Sequence, residues 1–575
     1  MSKLHFPKRI IAAAGLLILI AFLYLIAIYN PAYDSTPETL QVIQSALEKQ
    51  QKIEQDLKAF YTAGAYSFAA PLVLQDPYRS APLTALILFE TPQPAQISVH
   101  VPGKTPEAAV DFSEADYQTH HEIHVYGLYA DSLNRVTLQL HTQDGQTQQQ
   151  EIDLQTEPLP PYLQKMDVAL VRRAQYSPGF NFTALDHKEI FDIDGEVRWF
   201  STQTTYQVFT PLKNGRFLFT YPGERNNILM EQDLLGKIYT IYNVKDGVHH
   251  DVVELPNGNL LLTSENSRST MEEDYIFELD RQTGHILRFF DLKSILDPGR
   301  PKEIDSQPDD WFHLNSIDYD PSDSSILISG RFQSAVIKLS YPEMKIQWIL
   351  GPHEGWSQKF QPYLLEPVGD GFEWQWSQHH ATFYRVGPSS EGRVDVQLFD
   401  NGLFRSFDSE NDLPPLESYS RVVHYRVDEK AMTVEQTWEY GKERGWSLFS
   451  NSLGSAYLLE NGHIFGTWGS IARDAAGSPV LDTRDAVVEA VMIEVDPTDQ
   501  QVVFEAVLPA TENYRTLRGG LYAAYQAENS ALVLPIQDTS ENDWLDRSQM
   551  LSMDINNWLE QQISSGKKLL HDLFL

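Results

Sequence analysis

The stretch Asp192-Ile-Asp-Gly-Glu-Val-Arg-Trp199 joins a polar turn to a short apolar strand, and the unit recurs along the chain. It returns as Asp233-Leu-Leu-Gly-Lys-Ile-Tyr239, Asp280-Arg-Gln-Thr-Gly-His-Ile-Leu287, Ser340-Tyr-Pro-Glu-Met-Lys-Ile-Gln-Trp348, Asp428-Glu-Lys-Ala-Met-Thr-Val434 and Asp496-Pro-Thr-Asp-Gln-Gln-Val-Val503. Interleaved with these are strand-like stretches at Phe217–Tyr221, Val252–Thr263, Ile317–Ser329, Thr382–Phe399 and Tyr457–Trp468. Recurrence of one supersecondary unit is the mark of a repeat architecture. Six repeats of four short strands, closing on themselves, predict an all-β fold with a six-bladed β-propeller over residues 165–540. The spacing stretches from 41 residues (Asp192 to Asp233) to 88 (Ser340 to Asp428), which calls for long insertions in some repeats. An array of two-sheet sandwiches is the competing arrangement.

Upstream, residues 70–157 carry short alternating segments (Thr84–Phe89, Ile97–Val101, Glu122–Tyr126, Arg135–Leu140) divided by Pro, Gly and Asp. That pattern predicts a small antiparallel β-sandwich, with Pro158-Leu-Pro-Pro161 as a stiff linker to the repeats. Over residues 37–60, Leu40, Ile43, Leu47, Ile53 and Leu57 fall at near-helical spacing and predict a stalk helix. Ile10–Tyr29 is a run of twenty residues without charge, long enough to span a hydrocarbon core. Lys3, Lys8 and Arg9 before it hold the N-terminus in the cytoplasm. Residues 1–30 are therefore expected to be a retained single-pass anchor of the cytoplasmic membrane, with everything later on the extracytoplasmic side; a cleaved signal peptide is the alternative. Residues 543–575 return to helical periodicity through Trp544, Leu551, Trp558 and Leu559.

Composition narrows the chemistry. Asp+Glu 79 against Lys+Arg 44 gives a net charge of −35, a field that repels phosphate backbones and argues against a nucleic-acid partner. With no cysteine in the 575 residues, disulfides, thiolate metal sites and cysteine nucleophiles are excluded. Any chemistry falls to His, Tyr, Ser, Thr, carboxylates, Lys or Arg. The sequence is compatible with a homodimer.

Three histidines occupy matching places in successive repeats. His250 precedes a strand that ends at the turn Pro256-Asn-Gly-Asn, His313 one that ends at Pro321-Ser-Asp-Ser, and His379 one that ends at Gly387-Pro-Ser-Ser. Equivalent positions in a propeller converge on its central channel, so the three imidazoles are expected to meet. Residues equidistant from a hairpin turn face one another. The midpoint of 313 and 331 lies within Pro321–Ser324, which sets Arg331 opposite His313; the same arithmetic sets Asp400 near His379 as a group that orients its ring. His249 and His380 are expected on the opposite strand faces. Three histidines in register also suit a tri-histidine metal site. A guanidinium beside them disfavours a divalent cation, so neither a metal nor a cofactor is expected.

The sequence His313-Leu-Asn315-Ser-Ile, with Arg331 eighteen residues on, then Trp348-Ile-Leu-Gly351, Ser377-Gln-His379 and Phe399-Asp-Asn-Gly402, resembles the bacterial arylsulfate sulfotransferases. These move sulfuryl groups without a nucleotide sulfate donor. The resemblance extends from about Asp167 to Tyr525. It implies a six-bladed propeller behind a small sandwich, and ping-pong transfer from an aryl sulfate donor to a phenolic acceptor through a transient sulfohistidine. The residue matching the sulfohistidine is His379; the family's His-x-Asn pair falls on His313 and Asn315, and its arginine on Arg331. Its remaining histidine falls in His249-His-Asp251. His250 is preferred there, because it stands seven residues before Asn257, much as His313 and His379 stand eight before theirs. Members of the family are periplasmic, and the retained anchor departs from that pattern.

Those residue types suit sulfuryl transfer. A neutral imidazole is a nucleophile that divides the transfer into two easier steps. Arg331, protonated His250 and Asn315 would stabilise charge on the sulfuryl oxygens, and His313 would give and take the phenolic proton. Tyr206 and Tyr522 are the expected aromatic walls for the aryl ring. Two other readings compete: a non-catalytic propeller used for binding or scaffolding, and a quinone-dependent propeller dehydrogenase.

Overall fold

The computed structural model describes residues 37–522 apart from 185–186, 222–226, 245, 266–273, 303–309 and 386–391, together with 537–538. The expected anchor at 1–30 and the segment 543–575 lie outside the described residues. Among those described, no helix is long and apolar enough to cross a membrane.

Each of the six turn units joins the third strand of a sheet to its fourth. The leading side chain explains the recurrence, because it binds the turn it opens. Asp192 Oδ1 accepts from the amides of Asp194 and Glu196, Asp233 Oδ1 from Lys237, and Asp280 Oδ1 from Gln282 and Thr283. Ser340 Oγ does so for Lys345, Asp428 Oδ1 for Lys430 and Ala431, and Asp496 Oδ1 for Thr498. Such local acceptors favour turn over strand.

From residue 206 onward each sheet is laid down from its innermost strand outward, beginning with Tyr206–Pro211, Val252–Glu254, Leu314–Asp320, His379–Phe383 and Ser455–Leu458. The remaining sheet contains Phe180–Ala184, Lys188–Phe191 and Val197–Phe200, and takes Arg515–Gly519 as its innermost strand. Neighbouring sheets touch in turn through their innermost strands and the strands next to them, and the last meets the first, so the six form a closed, propeller-like ring. Stacked sandwiches would not close in this way. A second long-range pairing adds Asp167–Val171 to the outer edge of Gln501–Pro509.

The N-terminal β-unit is one six-stranded sheet rather than two separate ones. Its 17-residue strand Ala85–Val101 pairs through its first half with Leu72–Gln75 and Gln118–Val125, and through its second half with Val110–Ser113 and Leu133–Thr142. The change of partner falls at Pro92 and Pro94, which lack the amide a ladder needs. Its buried face is continuous with the first sheet of the ring through Leu128, Phe180, Phe182 and Leu521. Arg198, fully buried, fastens the two by donating to Gly127 O (2.8 Å from Nε), Ala108 O and Asp192.

The expected stalk is a helix at Pro37–Ala63, but it does not stand free. Ile43 packs on Ile228, Met230, Ile238 and Ile241. The Gln50 amide donates to Ile238 O (2.6 Å) and accepts from Ile238 N (2.8 Å), so this side chain takes the place of a neighbouring strand at the sheet edge.

Candidate active site

Because the inner strands run in the same direction, their N-terminal ends gather at one end of the ring. His250 and His313 precede their strands with φ of +54° and +55°, a left-handed conformation that costs an imidazole residue about 1–3 kcal/mol and is typically retained at working sites. The His250 ring centroid lies 5.0 Å from His313 and 5.5 Å from Tyr514, and Tyr514 lies 6.2 Å from His379. Arg331 stands opposite His313 as the hairpin count requires, with its amide on His313 O at 3.1 Å. Its guanidinium donates to Asn451 O at 3.4 Å and is the strongest charge acting on His379. The structure thus brings together His250, His313, His379 and Arg331.

His379 is 1 % exposed, and its Nδ1 lies 2.7 Å from Asn401 Oδ1. The Asn401 NH2 group is committed to Ser450 O (2.9 Å) and Leu453 O (2.7 Å), which fixes its oxygen toward the ring. Nδ1 therefore carries the hydrogen and Nε2 the lone pair. Burial, then Arg331, then His313 and His250 hold the imidazole well below the usual histidine range, against the opposing pull of Asn401. His379 is a neutral base with a defined tautomer.

The orienting group is Asn401, not Asp400. His379 pairs with Phe399 and the register shifts before Thr382, an irregularity that symmetric counting from the turn does not foresee. Asp400 is fully buried elsewhere, on Arg421 (2.8 Å), Arg405 (3.1 Å) and the amide of Trp376 (2.9 Å).

Asn315, also fully buried, donates to Gln378 O at 2.7 Å and so holds the residue just before His379. Tyr206 opens the innermost strand of its sheet, and the adjacent Gln207 accepts the His250 amide at 2.7 Å. Tyr522 is not a wall of the site. Its hydroxyl donates to His124 O (2.6 Å) and its ring stacks on Phe112 at 4.6 Å, sealing the N-terminal β-unit against the ring. The tyrosine among the histidines is Tyr514, which precedes the closing strand and donates to Asn315 O at 3.0 Å. Beside it Arg515 pairs with Asp251 (2.8 Å) and also donates to Asn315 O (2.9 Å). Tyr514 and Arg515 escaped the sequence reading because their strand is short and remote from its repeat; its position as the missing inner strand was the available signal. Asp310, three residues ahead of His313, was missed as well.

His249 sits behind His250, edge-on at 4.9 Å. His380 turns away to Ala456 O at 3.0 Å and, with His250, Asp251, Asp318 and Arg515, lines a cavity of about 360 Å³.

A sequence profile of the arylsulfotransferase (ASST) family matches residues 141–515, and one of the arylsulfotransferase Ig-like domain matches 72–157. The chain is 26 % identical over 548 residues to arylsulfate sulfotransferase AssT of Escherichia coli O6:H1, covering 74 % of this chain and 89 % of that protein. It is 25 % identical over 547 residues to arylsulfate sulfotransferase AssT of Lelliottia amnigena, with the same coverages. A ring of six sheets, three histidines and an arginine at one end of it, and a family match over most of the chain lead to one conclusion: the protein is a sulfotransferase enzyme of the arylsulfotransferase family.

Proposed function

We propose that this enzyme moves a sulfuryl group from an aryl sulfate ester to a phenol by a ping-pong route through a sulfohistidine at His379, on a six-bladed β-propeller. The observation that carries the reading is the neutral His379, with its Nε2 lone pair fixed by Asn401 beside the Arg331 charge. Nε2 attacks sulfur while the bond from sulfur to the aryl oxygen breaks. The bonding pair leaves on that oxygen, which takes a proton from His313. In the second half the acceptor phenol attacks sulfur, the S–N bond returns its pair to Nε2, and the phenolic proton passes to His313. Arg331 and His250 offset charge on the sulfuryl oxygens, and Tyr514 and Tyr206 give the aryl ring flat surface. The membrane anchor rests on the sequence of Lys3–Tyr29 alone, and with it the assignment of the enzyme to the extracytoplasmic side.

Release of 4-nitrophenol from 4-nitrophenyl sulfate should require added phenol, and should survive dialysis against a strong chelator. Release that ignores the acceptor counts against transfer; absence of release under all conditions favours a binding module; activity restored only by zinc or copper favours a metal site. Arg331→Lys keeps the charge but loses the planar fork that reaches two sulfuryl oxygens. We expect kcat to fall about 10²-fold with KM little changed, read from steady-state kinetics; a variant with wild-type kcat would remove Arg331 from the transition state.

A further inference from the structure

We propose that Asp310 is the positioning residue that makes His313 the acid–base group of the transfer; the inference rests on the sulfotransfer reading above. Asp310 Oδ2 lies 2.5 Å from His313 Nδ1. An ionised carboxylate only accepts, so Nδ1 carries the hydrogen and Nε2 is the nitrogen left to exchange a proton with a phenolic oxygen. The ring has little freedom to turn, since it stacks on Phe332 at 4.8 Å and meets His250 at 5.0 Å. The carboxylate is tethered as well. The Asp310 carbonyl accepts from Lys302 Nζ at 2.8 Å, and the next residues, Trp311 and Phe312, are buried in the core.

The contrast with His379 carries the argument. Both rings are bonded at Nδ1, but His379 faces a neutral amide oxygen and His313 a carboxylate. A neutral acceptor beside a buried ring leaves the nucleophilic Nε2 unprotonated, whereas a carboxylate stabilises imidazolium. The other charges around His313 are Arg331 on the facing strand, Lys302 at 5.8 Å from the Phe332 ring centroid, and, when protonated, His250 and His379. All of these oppose a second positive charge. Asp310 is the acid in this set that favours it.

The test compares donors with poor and good leaving groups, since only a poor one needs its proton. With phenyl sulfate, Asp310→Asn should lower kcat by about 10²-fold, and with 4-nitrophenyl sulfate by less than tenfold. Loss of the carboxylate disfavours the protonated ring, so the alkaline limb of the kcat/KM profile should move to lower pH. Asp310→Glu, which keeps the charge, should recover part of the phenyl sulfate rate, and it carries the test if Asp310→Asn does not fold. An equal loss on both donors with an unmoved pH profile would mean that Asp310 only holds the loop, and would overturn the proposal. His313→Gln separates the two levels: wild-type transfer from phenyl sulfate in that variant sinks the acid–base reading of His313 itself, whatever Asp310 does.

Discussion

The His379→Asn protein, incubated with 4-nitrophenyl sulfate and no acceptor, will gain no sulfuryl group by intact-protein mass spectrometry, and turnover with phenol will fall by a factor on the order of 10⁴ or more. Asn retains a polar side chain close to Asn401 but has no nitrogen lone pair to offer sulfur. Asn401 remains tied to Ser450 and Leu453, so the surrounding frame should persist. An unpaired Asn401 oxygen would destabilise the fold by about 1–3 kcal/mol, which a thermal melt can register. An adduct that persists in this variant would transfer the nucleophile to His313 or His250. The wild-type protein supplies a second check. Because burial and Arg331 keep His379 neutral, adduct formation from a donor with a good leaving group should continue as pH falls through the ordinary histidine range. Loss of the adduct in that range would mean the nucleophile titrates normally.

Arg421→Met should be the most destabilising single change in the ring, by about 3–5 kcal/mol. Arg421 and Asp400 are both fully buried, and Arg421 also reaches Glu373 at 3.2 Å, Glu439, and Glu373 O at 3.1 Å. Removing the cation leaves the buried Asp400 carboxylate with Arg405 as its remaining ion pair and takes from Glu373 and Glu439 the cation they share. Asp400 also receives the Trp376 amide, so the segment leading into His379 should loosen and activity should fall with stability. The check is the midpoint of denaturant unfolding; a shift worth less than about 1 kcal/mol would mean that the neighbouring cations Arg405 and Lys442 cover the loss.

What the sequence disclosed was local or strictly periodic. The six turn units were legible because each leading Asp or Ser binds amides within five residues of itself. Both site hairpins shift register by one residue beside the histidine, between Leu314 and Ser316 and between His379 and Thr382, and the midpoint at 322 places Arg331 against His313 because it matches the pairing on the site side of that shift. Counting from the turn of the His379 hairpin follows the pairing on the turn side of its shift, and the ring-orienting role falls to Asn401 rather than Asp400. Tyr514 is illegible in the sequence for a different reason. The strand that orders Tyr514 pairs with residues more than 300 positions away, and no periodic pattern of five residues can announce such a partner. The docking of the Pro37–Ala63 helix is of the same kind, since Gln50 in the helix is satisfied by Ile238 in the ring.

The closing strand gives biosynthesis a sequence of events. The Asn513 side chain receives the Ala184 amide at 3.0 Å, and Arg515 reaches Asp251 and Asn315, so ribosome-borne chains that stop short of this point hold three histidines but lack the residues that lock them together. Pairings between segments far apart in a chain are entropically expensive and form late. The nascent enzyme should therefore stay inert until its last inner strand has been made and slides into place.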